Sequence, residues 1–446
     1  MKPTLEFINH ASVLISNENV SLLSDPWYQG DAFHKGWNLI HELTDNEITH
    51  LLNRVTHIWI SHEHPDHFSI SFFMKFQKVI LKNNIEILFQ KTSDKRVESF
   101  LTAKKFNLTI LEPDTWLEIG QDFKILNFKD GFYDSGLAIN TSGVRFLNLN
   151  DCEIKTSDRC DEIFKITGKC DVLISQFSYA AWKGGKENIS WRKKAAQEKL
   201  DTLELQVKKF NPTYLIPFAS FVSFSNERNF YLNDSVNTPM DVVQRFELTD
   251  DVKTIVMQPF DILDFNVDID IDNKNALGFW SENYLNLEPK NKFEKKEIHE
   301  LNEIFMKYKE RIFNNNSKIL IKIARLFSPI PVFKPLNIYL DDIKSSIKLD
   351  IFSKELELSH NPPDIEMSSE SLYFIMQNTF GFDTLTVNGC FEERKNKGFS
   401  KMAKSLAIEN LNNIGIKFNF YIILNFRLVY LFLNRLKATS KKISNT

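Results

Sequence analysis

The stretch His62, Glu63, His64, Pro65, Asp66, His67, written HEHPDH, puts three imidazoles and two carboxylates into six consecutive positions. It follows Thr56 to Ser61 (THIWIS), a β-branched and aromatic run that reads as a buried strand. His62 and His64 alternate, so an extended backbone throws both to one side. Asp66 and His67 are adjacent and can serve a second position as the chain turns into the helix suggested by Phe68 to Lys82. Imidazole nitrogen and carboxylate oxygen suit zinc, iron or manganese. A single histidine near a strand is commonly structural, but three of the chain's ten histidines fall here, and that density predicts a metal site.

The 446 residues predict two or three domains. A composition of 43% hydrophobic and 25% charged residues describes a globular protein, and 39 phenylalanines imply dense aromatic cores. With 55 basic against 58 acidic side chains, the net charge of -3 gives no general attraction to nucleic acid or an anionic membrane. Cys152, Cys160, Cys170 and Cys390 have neither the spacing nor the neighbouring histidines of a zinc ribbon or disulfide framework, which fits a reducing cytoplasm. MKPTLEFINHASVLI at the start lacks a charged leader with an apolar core, so no signal peptide is expected. No apolar run reaches the roughly 20 residues of a membrane-spanning helix. Ile414 to Leu436 comes nearest but is interrupted by Lys417, Arg427 and Arg435. It reads as an amphipathic element packed on its own domain, with peripheral membrane contact through a helix ending in the basic tail KATSKK as the alternative.

Residues 4 to 27 read as two strands, LEFINHASVLI and NVSLLSDPW, joined by the polar turn SNEN. Tyr28 to Leu43 reads as a loop over a site, with Trp27, His34 and Trp37 as candidate substrate contacts. After HEHPDH, helix and strand signals alternate: IEILF, a helix from Ser93, then LTILE, which argues for a layered α/β domain. From Trp116 the pattern becomes short strands, TWLEI, FKILNF, GLAINTS and VRFLNLND. The last of these delivers Asn150, Asp151, Cys152, a carboxylate at a strand terminus. DVLISQFS and TYLIPFASFVSF are further strands. Between them Lys183 to Lys209 is a charged helical stretch, either a solvated face or a source of cations, Lys183 and Lys186, for a phosphate-bearing substrate. A shift to acidic and charged composition around residues 265 to 300 divides the chain into a metal-binding domain (1–270), a connection (271–300) and an accessory α+β domain (301–446).

These stretches together resemble one family. HEHPDH matches the HxHxDH motif of the metallo-β-lactamase superfamily, whose fold is a four-layer αββα sandwich with a dinuclear metal site at the sheet edges. More narrowly, NHASVLI around His10, SDPWYQGDAFHKGWNLIHE from Ser24 to Glu42, WISHEHPDHFS, FKILNFKDG, LNLNDC and YLIPFASF resemble the non-Rieske portion of the CMP-N-acetylneuraminate hydroxylases, over roughly residues 1 to 240. The resemblance implies His62 and His64 on one ion and Asp66 and His67 on the other, with Asp151 bridging. His10 and Asp25 would lie behind the ligands and orient them by hydrogen bonds.

Hydrolases of the superfamily carry further histidines at two later positions, whereas this chain has none between His67 and His299. Asp130 or Asp134 is offered before Asp151, and Asn226 or Asn229 near the later position. Carboxylate in place of imidazole makes the site harder and more anionic, which suits iron or manganese better than a closed zinc site; loss of one ion is the alternative. The chain also lacks the Cys-x-His and Cys-x-x-His pairs that would hold a Rieske cluster. The resemblance therefore implies a dinuclear-iron hydroxylase of a sugar nucleotide or related glycan precursor, with electrons from a separate donor. A metallohydrolase of a phosphodiester, lactone or amide bond is the competing expectation, with Asp66 or Asp151 holding the nucleophile. A binding module that kept the fold and lost catalysis is the third.

Overall fold

The computed structural model describes residues 2–247, 252–328, 331–406 and 408–419. The chain divides into two compact units, Met1–Lys290 and Asn291–Thr446.

The first unit is built on two seven-stranded sheets. One orders its strands Ile262–Asp264, Thr4–Asn9, Ser12–Ser16, Ser21–Ser24, His57–Ile60, Glu86–Gln90, Asn107–Leu111. The first four pair antiparallel, and from Ser21–Ser24 onward the pairing is parallel. The other runs Lys253–Thr254, Tyr214–Phe218, Val172–Gln176, Val144–Asn150, Asp134–Thr141, Phe123–Asp130, Trp116–Gly120. Its early strands are again antiparallel and its later ones parallel. Both sheets thus repeat one plan, a meander followed by parallel strands that need crossover connections.

Strand alternation assigns the two faces. In the parallel strands Trp59 and Leu88 join Phe7, Phe128, Leu137 and Phe146 in the core between the sheets. Their neighbours Ile58, Ile60, Ile87 and Phe89 face the opposite way and pack with Ile48, Phe73, Ile80 and Leu101 of the outer helices. On the second sheet the outer layer is Ser157–Thr167, Ile189–Phe210 and Pro239–Phe246, which bury Cys160, Ile163, Leu203 and Val242. The result is the expected four-layer αββα sandwich.

Several elements differ from the sequence expectation. LEFINHASVLI is not one strand: it turns at His10–Ala11, because the Asn9 side chain accepts the His10 N–H (2.9 Å) and the Ala219 N–H reaches the His10 carbonyl (2.7 Å). The segment expected as a connection, 271–300, contains the helix Lys274–Leu285. Its Trp280 is buried against Phe221 (4.2 Å between ring centres) and Phe7 (6.2 Å), and donates its indole N–H to the Met257 carbonyl (2.8 Å). The division accordingly falls after Lys290. The second unit carries a five-stranded sheet flanked by helices; the stretch LYFIMQNTFGFDTLTVNGCFEE, expected as a helix, a turn and a strand, has a second helix, Gly381–Asn388, between the helix Ser369–Gln377 and the strand Phe391–Glu393. Of the stretch Ile414 to Leu436, all beyond Asn419 lies outside the described residues, and so does the tail KATSKK. Among the described residues no helix is long and apolar enough to cross a membrane.

Because Trp280 closes the end of the inter-sheet core, Trp280→Ala should cost about 3–5 kcal/mol of stability. The check is the midpoint of denaturant unfolding; an unchanged midpoint would place residues 274–285 outside the first unit's core.

Candidate metal centre

The site forms past the carboxyl ends of parallel strands from both sheets, where ligands gather in open α/β sheets. Ser21–Ser24 delivers Asp25, His57–Ile60 delivers Ser61 to His67, Val144–Asn150 delivers Asp151, and Tyr214–Phe218 delivers Ala219. Asp25 (φ 34°), Asn150 (φ 49°) and Ala219 (φ 46°) all lie in the left-handed region. Non-glycine residues there are uncommon, cost of order 1–3 kcal/mol each and persist only where surrounding contacts over-determine them.

Those contacts converge on Asp25, which is buried. Its carboxylate accepts the Ser61 N–H (2.8 Å), the Ser61 hydroxyl (2.7 Å), His67 Nδ1–H (2.9 Å) and the Asn150 side-chain amide. With its one proton given to Asp25, the Ser61 hydroxyl accepts from His62 Nδ1 at 2.9 Å. One carboxylate therefore orients both rings and leaves the Nε2 atoms of His62 and His67 facing the other donors. The Ser61 carbonyl is held in turn by the Gln90 amide (2.8 Å) and the Ser135 hydroxyl (2.6 Å).

Around these two imidazoles the remaining donors form three overlapping groups, each with its ligand atoms within 4.8 Å of one another: His62, His64, Asp134; His62, His67, Asp151; and His10, Asp66, His67. His62 Nε2 is 2.8 Å from His64 Nδ1 and 3.6 Å from Asp134 Oδ1. His67 Nε2 is 3.2 Å from Asp151 Oδ2 and 3.3 Å from Asp66 Oδ2, and His10 Nε2 is 3.5 Å from Asp66 Oδ2.

Burial, with His67 and then His64 adding to it, holds His62 well below the ordinary histidine range, and burial likewise lowers His64. Both are neutral and free to ligate. Burial alone would lower His67 and raise Asp66, but each reverses the other: Asp66, Asp151 and Asp25 push His67 well above its usual range, while His67 and His10 hold Asp66 well below its own. Asp134 is pushed up to about 8 by burial and by Asp151, a sign of surplus negative charge.

The donor set fits two divalent cations. Both ring nitrogens of His10 and Oδ1 of Asp66 are buried without a hydrogen-bond partner, an arrangement that costs about 1–3 kcal/mol per group unless something supplies the missing contact. A cation there would take the lone pair of one His10 nitrogen and the Asp66 oxygen and would also compensate the carboxylates.

The structure groups the expected residues differently in three places. His10, expected behind the ligands, lies in one group with Asp66 and His67. Asp130 does not join any group: Arg159 Nε binds it at 3.0 Å, leaving Asp134 as the carboxylate that faces His62. Asn226 and Asn229 do not complete the site, because their side-chain amides bond the Lys35 carbonyl (3.2 Å) and the Gly36 carbonyl (2.9 Å) and pin the loop there.

The expected substrate contacts are distributed unevenly. Trp27 is buried edge-on against His10 (5.7 Å), and Trp37 is buried between Phe33 (4.6 Å) and Phe224 (5.9 Å). His34 is half-buried, with burial pushing it down to about 4. Lys186 is exposed, its ammonium 6.0 Å from the Tyr231 ring centre, and Lys183 is close enough to Glu153 and Lys199 to act on both electrostatically.

Sequence reasoning missed Phe33, whose ring lies 5.8 Å from that of His64, and Lys199. Lys199 Nζ donates to Gln176 Oε1 (2.9 Å), and Gln176 Nε2 donates to the Asp151 carbonyl (2.8 Å). A signal was present: four residues after Ala195 and four before Leu203, Lys199 lies on the apolar face of its helix, where a lysine is out of place.

No family model matches the chain. It is 26% identical over 290 residues to the cytidine monophosphate-N-acetylneuraminic acid hydroxylase of Xenopus laevis, which covers 61% of this chain and 47% of that protein. With the Danio rerio protein of the same name it shares 27% identity over 248 residues, 52% of this chain and 40% of that one. Among solved structures, CmlA, a diiron β-hydroxylase from Streptomyces venezuelae, superposes with a TM-score of 0.43 at 12% identity, over 59% of this chain and 54% of that chain. The chain spans about half the length of the curated relatives it matches, and over that span it is similar to cytidine monophosphate-N-acetylneuraminic acid hydroxylases.

Proposed function

We propose that the first unit binds two iron ions and acts as an oxygen-dependent hydroxylase on a sugar nucleotide or related glycan precursor, with electrons from a separate donor. The observation that carries this reading is Asp134, a carboxylate grouped with His62 and His64. Oxygen donors harden the site and favour iron or manganese, and the similarity to hydroxylases points the same way. His62, His64 and Asp134 would hold one ion and His10, Asp66 and His67 the other, with Asp151 between them. When bound, the pair supplies dioxygen activation, one oxygen atom entering a C–H bond and the other leaving as water with two electrons and two protons from the donor.

The protein's own part is orientation and exclusion of water. Asp25 fixes the His67 ring and, through Ser61, the His62 ring. Phe33 and Trp27 wall the imidazoles with apolar surface. Gln176, held by Lys199, anchors the Asp151 backbone. Lys199 places positive charge beside Asp151, with Lys183 near Lys199, a pair suited to a phosphate or carboxylate of the substrate; Lys186, at the surface, lies on the same loop as Lys183.

A metallohydrolase is the second reading, favoured by the presence of four imidazoles (His10, His62, His64, His67) against three carboxylates in the grouped set, a balance that zinc also accepts. There the shared water would be the nucleophile and Asp66 or Asp151 would orient it.

Metal analysis of anaerobically purified protein separates the readings. Two irons per chain, with absorption bands that change on dithionite reduction and return with oxygen, are expected; stoichiometric zinc with phosphodiesterase turnover would establish the hydrolase instead. His64→Ala and His10→Ala should each lower metal content by about one ion per chain, while Asp130→Asn keeps both, measured by elemental analysis of the purified variants. Loss of metal in Asp130→Asn with full occupancy in His10→Ala would reverse the ligand assignment. Asp25→Asn replaces an acceptor-only group by one that must also donate, and should weaken metal affinity by roughly 10- to 100-fold in competition with a chelator; unchanged affinity would show that the rings are oriented without it.

A further inference from the structure

In the second unit the helix Lys318–Phe327 (KILIKIARLF) turns most of its apolar side chains outward. Ile321 is its buried residue, whereas Ile319 is 66%, Ile323 46%, Leu326 71% and Phe327 78% exposed. Their spacing puts them on a single stripe. The preceding helix Ile298–Asn315 behaves in the ordinary way and buries Leu301, Ile304, Phe305, Tyr308 and Ile312. A contiguous stripe of large aliphatic and aromatic side chains on a surface marks something that binds it.

The charge around the stripe indicates what. The helix contains Lys318, Lys322 and Arg325 and no acidic residue. Arg325 is held by Asp350 (2.8 and 2.9 Å), while the ammonium groups of Lys318 and Lys322 lie over the rings of Phe313 (5.3 Å) and Phe352 (5.6 Å). The same composition recurs at the chain's end. The Ser317 N–H, at the start of this helix, donates to the Phe418 carbonyl (2.7 Å), and the Phe418 N–H donates to Asn316 Oδ1 (2.9 Å). The sequence that follows Asn419, FYIILNFRLVYLFLNRLKATSKKISNT, is strongly apolar, then basic, and contains no Asp or Glu. The helix and the sequence after Asn419 thus share one composition, apolar side chains with only positive charge.

We propose that the helix Lys318–Phe327 is a docking surface for an anionic lipid bilayer, with Ile319, Ile323, Leu326 and Phe327 entering the acyl boundary and Lys318 and Lys322 meeting the headgroups. A helix of this length lies flat in the interface, and apolar burial combined with headgroup attraction gives it reversible affinity. The inference concerns the second unit and does not depend on the chemistry assigned to the first.

The test is co-sedimentation of the full-length protein with vesicles of phosphatidylcholine alone or of equal parts phosphatidylcholine and phosphatidylserine. Binding to the anionic vesicles is expected, falling about tenfold or more on neutral vesicles or at high salt. The double variant Ile323→Glu with Phe327→Glu should lose binding to a similar degree, with its circular dichroism unchanged because both side chains are exposed. Three results would overturn the proposal: no sedimentation with anionic vesicles, which would mean that another part of the chain covers the stripe; equal binding by the double variant, which would assign the affinity to residues after Asn419 alone; or concentration-dependent self-association abolished by the double variant without vesicle binding, which would make a second copy the occupant.

Discussion

The buried carboxylate of Asp25 is the constraint on which the metal centre depends. Standing past one strand end, it takes four donors from two others: Ser61 and His67 past one and Asn150 at the other. A carboxylate that accepts four hydrogen bonds is a strong and directional acceptor inside a protein, where water does not compete. Its hydrogen bonds offset the left-handed backbone at Asp25 and Asn150 and join the two sheets at the edge where they diverge. Removing the charge would strand several donors together, so the site and the sandwich rim are stabilised by the same contacts.

The same carboxylate sets the electrostatics of its neighbours. His67 lies against Asp25, Asp66 and Asp151, and Asp134 stands close enough to Asp151 to be forced toward its protonated form. Carboxylates outnumber the cationic groups among them, and burial keeps His62 and His64 neutral. A buried set of this kind is electrically incomplete without added positive charge. Lys199 contributes part of it from the side, through Gln176, but is itself lowered by burial. The remainder has to come from what the cluster binds.

What could be read from the sequence follows the range of the interactions involved. HEHPDH was legible because its strand, turn and ligands are local, and the αββα layering followed from alternating patterns that each span a few residues. The turn that brings His10 beside Asp66 and His67 was not legible, because no glycine or proline marks His10–Ala11; an Asn9 side chain and an N–H from Ala219 make it instead. Asp130 and Asp134 face each other across one hairpin, so sequence could not choose between them. The choice is made by Arg159, on a helix 29 residues further on, which claims Asp130. Asn226 and Asn229 looked like ligand replacements by position, yet their amides are spent on the backbone of a loop nearly two hundred residues earlier.

That loop decides from which direction the site is open. Phe33, His34 and Lys35 are three successive residues with positive φ (50°, 55° and 57°), a conformation that would relax if nothing held it. Asn226 and Asn229 hold it at the Lys35 and Gly36 carbonyls, and Trp37 is clamped between Phe33 and Phe224. The segment is thus a fixed wall that keeps Phe33 over His64, and a gate built this way would have to break buried amide hydrogen bonds to open. His62 and His67 are buried, whereas His64 is half-buried and the side chains of Asp134 and Asp151 retain 26% and 24% of their exposure. Solvent therefore reaches the cluster at His64, Asp134 and Asp151, and Lys199 lies close enough to Asp151 to interact with it electrostatically. Access to the grouped donors is therefore set by a rigid apolar wall at Phe33 on one side and by partly exposed carboxylates on the other, and only the second can change its charge.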